Sequence, residues 1–234
     1  MIAKKVEFTL TSEIFNNFRC KMACDSLDID ITKKSEHHFK LDNIDISEDW
    51  NVGIIYGASG SGKTTLAKQL FGEDIFKNIL DEEKPIINQL PNDFTYEECA
   101  NILNGIGLTS VVCWVRPVKT LSNGQRARAE AALLMTMHDV VIIDEWTSVV
   151  DRTVAMAMSH CVQKFAKKKN KKIILLSCHA DIIEWVNPDW LIDCNKQEFV
   201  KKTDGFFLNQ EKNLNSISNQ LEGKHGNILA SIII

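Results

Sequence analysis

Three apolar runs stand out along the chain, and each stops abruptly at polar residues. Asn51-Val52-Gly53-Ile54-Ile55-Tyr56 runs into a glycine-rich stretch. Val140-Val141-Ile142-Ile143 runs into Asp144-Glu145, and Ile173-Ile174-Leu175-Leu176 into Ser177-Cys178-His179. The last two have no polar position within them, which suits strands of a central parallel sheet covered on both faces. In open α/β sheets ligands bind beyond the carboxyl ends of the strands. Three strands are therefore expected to deliver polar groups to one sheet edge. From about Val6 to Ile46 the pattern changes to short alternating runs. Leu27-Asp28-Ile29-Asp30-Ile31 and Phe39-Lys40-Leu41-Asp42-Asn43-Ile44-Asp45-Ile46 predict strands of a mixed or antiparallel sheet. Between Pro91 and Asp139 the period becomes helical, with helices expected over Tyr96–Gly105 and Gln125–Met137.

The stretch between the first strand and the helical run Thr64–Leu70 reads Gly57-Ala58-Ser59-Gly60-Ser61-Gly62-Lys63-Thr64-Thr65 and matches G-x-x-x-x-G-K-[ST]. Strand, glycine-rich turn and helix form the context of a phosphate-binding loop. Backbone N–H groups curl around an anion there, and the helix start adds the positive end of its dipole. Lys63 is expected to reach the β- and γ-phosphates of a nucleotide, and Thr64 to ligand Mg²⁺. A plain helix cap would share the glycines but has no use for the lysine.

Bulk composition narrows the setting. With 234 residues there is room for one large domain or a core with a small subdomain. A net charge of −4 argues against a broad non-specific nucleic-acid surface. The basic run Lys164–Lys172 sits between a helical stretch and a strand, and reads as cations at a helix C-terminus. The seven cysteines form no C-x-x-C pair and no zinc spacing, so reduced thiols in a cytoplasmic setting are expected. The N-terminus has no apolar signal region, and no apolar stretch approaches the ~20 residues that span a bilayer. No direct membrane insertion is expected.

Two further segments carry candidate chemistry. Asp144, ending its strand, can hold Mg²⁺ through water, and Glu145 can orient or deprotonate an attacking water. Leu121-Ser122-Asn123-Gly124-Gln125 opens a helix. Ser122 or Asn123 would cap it, and a helix start with small residues is also an anion site.

Taken in order, the phosphate loop, the Ser122-Asn123-Gly124-Gln125 helix start, Asp144-Glu145 and His179 resemble an ABC-type ATPase. The likeness runs from about Phe18 to Phe199. Two positions depart from the family pattern: Asn123 replaces a glycine of the signature, and Trp146 stands where proline is common after the glutamate. The resemblance implies an α/β fold of the P-loop NTPase type. It would have a RecA-like parallel sheet core, an N-terminal antiparallel β-subdomain and a short helical subdomain at about 90–138. The ATPase domain would occupy 1–205 and a C-terminal tail 206–234. That tail is polar over 209–224 and apolar over Ile228–Ile234, which would pack on the core or mark where a longer relative continues.

The resemblance also implies roles. Gln89 would touch Mg²⁺ and the attacking water, and His179, 34 residues after Glu145, would contact the γ-phosphate. Asp151, in Ser148-Val149-Val150-Asp151, would lie at a dimer interface or cap the following helix. An aromatic residue on the adenine is implied upstream of the loop, with Phe18, Met22 and Phe39 as candidates. ATP and Mg²⁺ would be bound in an ATP-dependent homodimer. Each site would combine the loop, Gln89, Asp144, Glu145 and His179 of one chain with Ser122–Gln125 of the other.

More narrowly, Gly105–Leu108, Trp114–Pro117, Asp144–Arg152, and Ser177–His179 followed by Glu184-Trp185 and Pro188–Trp190 resemble soluble prokaryotic and phage ABC ATPases, some fused to an acetyltransferase-like domain. The implied function is a soluble ATPase acting on a protein or nucleic-acid partner. The alternatives are the ATPase subunit of a transporter and a switch that binds ATP with negligible turnover.

Overall fold

The computed structural model describes residues 5–12, 17–26, 35–46, 49–73 and 80–202. The chain divides into two units, Met1–Val200 and Lys201–Ile234. The expected tail at 206–234 and the run Leu27–Ile31 lie outside the described residues. In chain order the elements are β1 (Lys5–Ser12), α1 (Phe18–Asp25), β2 (Ser35–Asp42), β3 (Val52–Tyr56), α2 (Lys63–Phe71), α3 (Tyr96–Gly105), α4 (Val111–Val115), α5 (Asn123–Met137), β4 (Val140–Ile143), α6 (Arg152–Lys169), β5 (Lys172–Ser177), α7 (Asp181–Val186), β6 (Trp190–Asp193) and β7 (Glu198–Lys201).

The three apolar runs become β3, β4 and β5 of a five-stranded sheet in the order β4-β5-β3-β6-β7. β3 lies parallel to both β5 and β6, and β4 parallel to β5. The runs are apolar throughout because neighbouring side chains enter different cores. Ile54, Ile173, Leu175, Val141 and Ile143 join α3, α5 and α6 on one face. Ile55, Ile142, Ile174, Leu176 and Ile192 join α2 and the β1–β2 pair on the other. β1 and β2 form a separate antiparallel pair that contributes Val6, Phe39 and Leu41 to that second core. The mixed α/β architecture with a parallel sheet and an antiparallel β-subdomain is the one the resemblance implies.

Several details differ from the sequence reading. Phe18–Asp25, within the region read as strands, is a helix capped by Asn17, whose side chain accepts from Cys20 N–H. β2 ends at Asp42 because Asn43 turns into the left-handed region (φ 62°), and Ile44 is buried from a loop. α5 starts two residues before Gln125, where Ser122 and Gln125 form a reciprocal capping box. The basic run does end a helix: Lys167, Lys168 and Lys169 occupy the last turn of α6. Lys171 pairs with Asp139 at 3.1 Å, and Lys172 lies over the Trp50 ring. All seven cysteines are free. No helix among the described residues is long and apolar enough to cross a membrane.

Candidate active site

The segment Gly57–Gly62 leaves the end of β3 and turns directly into α2. Gly62 caps that helix at φ 89°, a conformation only glycine adopts without strain, so no side chain occupies the first helical N–H groups. Lys63 Nζ donates to the loop's own carbonyls, Gly57 O at 2.9 Å and Ala58 O at 2.8 Å. Ser61 Oγ is buried in the loop beside the Cys194 thiol. Ala58 N–H donates to Asn195 Oδ1 at 2.9 Å, a contact from the loop after β6 that no motif announces.

Thr64 and Asp144 meet. Thr64 Oγ1 donates to Asp144 Oδ2 at 2.7 Å across 80 residues of sequence. The other carboxylate oxygen accepts Glu145 N–H at 2.8 Å. Among the described residues no group of three or more His, Cys, Asp or Glu side chains could hold a metal by itself. Mg²⁺ at a phosphate site needs only one or two protein oxygens, the rest coming from phosphate and water. The hydroxyl–carboxylate pair beside a cationic loop fits that chemistry.

The turn after β4 is strained. Glu145 and Thr147 both have positive φ, 50° and 69°. The left-handed region costs a non-glycine residue about 1–3 kcal/mol. Glu145 is exposed, and its carboxylate makes no hydrogen bond or ion pair among the described residues. Trp146 explains why the proline of the family pattern is absent. Its N–H donates to Leu176 O at 2.8 Å. Its ring is 2% exposed, with Nε1 donating to Ser159 Oγ at 3.2 Å. Proline has no N–H and would push Glu145 toward extended backbone. Trp146→Pro should therefore destabilise the fold by about 3–5 kcal/mol, read as a lowered urea midpoint, although it restores the more common residue.

Ser177 joins this turn to the one that carries His179. Its Oγ donates to Trp146 O and accepts from His179 N–H, both at 3.1 Å. His179 is half-buried, and its ring makes no hydrogen bond among the described residues. Gln89 is placed differently from the other candidates. Its Oε1 accepts Asp81 N–H at 2.8 Å, and its Nε2 donates to Asp81 O at 2.8 Å and Lys84 O at 3.0 Å. Both amide hydrogens are thus used within the 81–84 turn, and a metal contact would fall to the second lone pair of Oε1. The same turn is bound to the start of α5. Val118 and Lys119 N–H donate to Lys84 O and Glu82 O, and Arg126 pairs with Glu82.

At the α5 start, Ser122 Oγ accepts Gln125 N–H, and Gln125 Oε1 accepts both Ser122 N–H and Arg116 Nη2. A Cβ on Gly124 would lie 2.8 Å from Val149 O, so glycine is needed for the Ser148–Asp151 segment to pass. Asp151 caps α6 by accepting Val154 N–H at 3.0 Å. Among the described residues no hydrogen bond joins Ser122–Gln125 or Asp151 to Gly57–Thr65.

Of the adenine candidates, Phe39 is excluded: it is 0% exposed and stacked on Phe8. Phe18 and Met22 are exposed on α1. Phe8, which the sequence did not single out, reaches the loop, since a Cβ on Gly62 would sit 3.2 Å from its ring. Burial pushes the Cys194 thiol up to about 12, against the opposing charge of Lys63. Cys194 should therefore resist maleimide at pH 8 while exposed Cys178 is modified, as peptide mass mapping would read.

Comparison with known proteins identifies the fold. No protein-family model matches the chain. The dimeric, ADP- and phosphate-bound post-hydrolysis ATP-binding cassette MJ0796 superposes with a TM-score of 0.52 at 18% identity, over 72% of this chain and 94% of that one. The fold is that of an ABC ATPase cassette. RNase-L Inhibitor shares it, with a TM-score of 0.53 at 21% identity over 67% of this chain and 34% of that one. In sequence the cassette is 25% identical over 151 residues to the probable ABC transporter ATP-binding protein p29 of Mesomycoplasma hyorhinis. That match takes in 62% of this chain and 56% of the relative, so the chain spans just over half the length of the curated protein it matches.

Proposed function

We propose that this cassette binds Mg-ATP and hydrolyses it at two composite sites of a head-to-tail homodimer, and that opening and closing of the dimer drives a protein or nucleic-acid partner. The observation that carries the reading is the 2.7 Å contact between Thr64 and Asp144. Two oxygens expected to serve one metal meet at the mouth of the phosphate loop, with Glu145 as the next residue.

The geometry supports a division of labour. Lys63, now satisfied by loop carbonyls, turns to the β- and γ-phosphates when nucleotide enters. Thr64 and Asp144 would hold Mg²⁺, which would supply charge neutralisation to the phosphates. Glu145, exposed and unpaired, takes a proton from the attacking water. His179, whose ring makes no hydrogen bond among the described residues, would meet the γ-phosphate from a turn tied through Ser177 to the Glu145 turn. Among the described residues the Ser122–Gln125 helix start has no hydrogen bond to Gly57–Thr65, which supports its use against the nucleotide of a second chain.

The likeness to p29 supports a second reading, the ATPase subunit of a membrane transporter. The short segment between Gln89 and Leu121 favours the first. The test is phosphate release from Mg-ATP by purified protein at dimer-forming concentrations. Turnover that needs both Mg²⁺ and Lys63 supports the proposal. Nucleotide binding without turnover would leave a switch.

A further inference from the structure

Arg152 is outside the phosphate loop, the helix start and the strand-end acids, yet it touches the segments that carry Glu145 and His179. Its Nε donates to Asp181 Oδ2 at 2.9 Å and its Nη2 to Asp181 Oδ1, a two-pronged pair. Its guanidinium carbon lies 5.0 Å from the centre of the Trp185 ring, and its Nη1 is 3.5 Å from Thr147 Oγ1. Asp181 opens α7 two residues after His179, and Thr147 follows Glu145 by two. Arg152 itself comes directly after Asp151, the cap of α6.

A half-exposed ion pair usually contributes little. The planar fork is the exception, because it fixes direction as well as distance, and the aromatic face holds the guanidinium from a further side. There is also something to hold. Thr147 is β-branched at φ 69°, an outlier for that side chain. Glu145, Trp146 and Thr147 themselves line an open pocket of about 190 Å³, together with Leu134 of α5, Val150 and Met158. A strained turn beside open space can relax unless other contacts hold it. Ser177 is one tie, through Trp146 O and His179 N–H; Arg152 is a second, reaching the Thr147 side chain, and its anchor is on the His179 segment.

We propose that Arg152 and Asp181 are a positioning pair. They hold the Glu145 turn and the His179 turn at one separation, so that base and γ-phosphate contact address the same nucleotide. The proposal rests on the ATPase reading. Arg152→Lys keeps the charge and loses the fork, while Asp181→Asn keeps the shape and loses the charge. Each should lower kcat for Mg-ATP by about tenfold or more, with KM held within about twofold. The double variant should be no slower than the slower single one, since both remove the same contact. In ATP-free hydrogen exchange, Asp181→Asn should loosen peptides over 144–150 and 178–186 together and leave 57–71 unchanged.

A plain staple between α6 and α7 would lower the melting temperature and leave kcat of the folded protein as it was. That result, or single effects that multiply in the double variant, overturns the proposal. If the wild type fails to hydrolyse ATP while the two segments still loosen together, the hydrolysis reading falls and the pairing stands. If the wild type turns over and neither kcat nor exchange responds, the pairing alone falls.

Discussion

Glutamine in place of Glu145 should stop ATP hydrolysis and leave an ATP-bound dimer at twice the monomer mass. The side chain is exposed and unpaired, so the exchange disturbs no packing; the bond from Glu145 N–H to Asp144 belongs to the backbone and survives. What is lost is the ability to accept a proton from the attacking water, worth on the order of 10²–10⁴ in rate. Assembly follows from the same change. The γ-phosphate would bridge the phosphate loop of one chain and the Ser122–Gln125 helix start of the other, and only hydrolysis removes it. Light scattering on a sizing column should give a dimer with ATP and a monomer with ADP. A Glu145→Gln protein that stays monomeric with saturating Mg-ATP would count against the composite site, whatever its turnover.

The parts of this site differ in how far they could be read from residues alone. β3, β4 and β5 were legible because strands buried on both faces leave unbroken apolar runs. β6 and β7 were not: Trp190–Asp193 and Glu198–Lys201 are four residues each, too short to show a period. The helix at Phe18–Asp25 was hidden because all its side chains remain at least partly exposed and it has no apolar face. Its start rests on one capping asparagine. The contact of Thr64 with Asp144 was foreseeable, since two residues expected to serve one metal have to meet. The local bonds of Gln89 were not, because a glutamine closing a turn and a glutamine reaching a metal are the same letter. Trp146 read as a departure from the family pattern, and its reason lies in three dimensions. Glu145 turns left-handed, which a following proline opposes, and the tryptophan N–H and ring both find partners the sequence does not name.

Asp144→Asn should have the second large effect, and it separates the metal site from the fold. The two carboxylate oxygens do different work: Oδ2 accepts the Thr64 hydroxyl, and Oδ1 accepts Glu145 N–H. Asparagine keeps one acceptor for Glu145 and presents an NH₂ to Thr64, whose hydroxyl can accept instead of donate. The structural cost is then about 1 kcal/mol, that of one altered hydrogen bond. The charge is gone, however, and a hard cation held by so few protein oxygens depends on it. Losing several kcal/mol of metal-assisted stabilisation corresponds to a rate loss on the order of 100-fold or more. The half-saturating Mg²⁺ concentration should rise in phosphate-release assays, while ATP binding measured in EDTA stays at the wild-type level, since Lys63 and the loop N–H groups are untouched. An unchanged Mg²⁺ dependence would remove Asp144 from the metal site and leave its bond to Thr64 as loop packing.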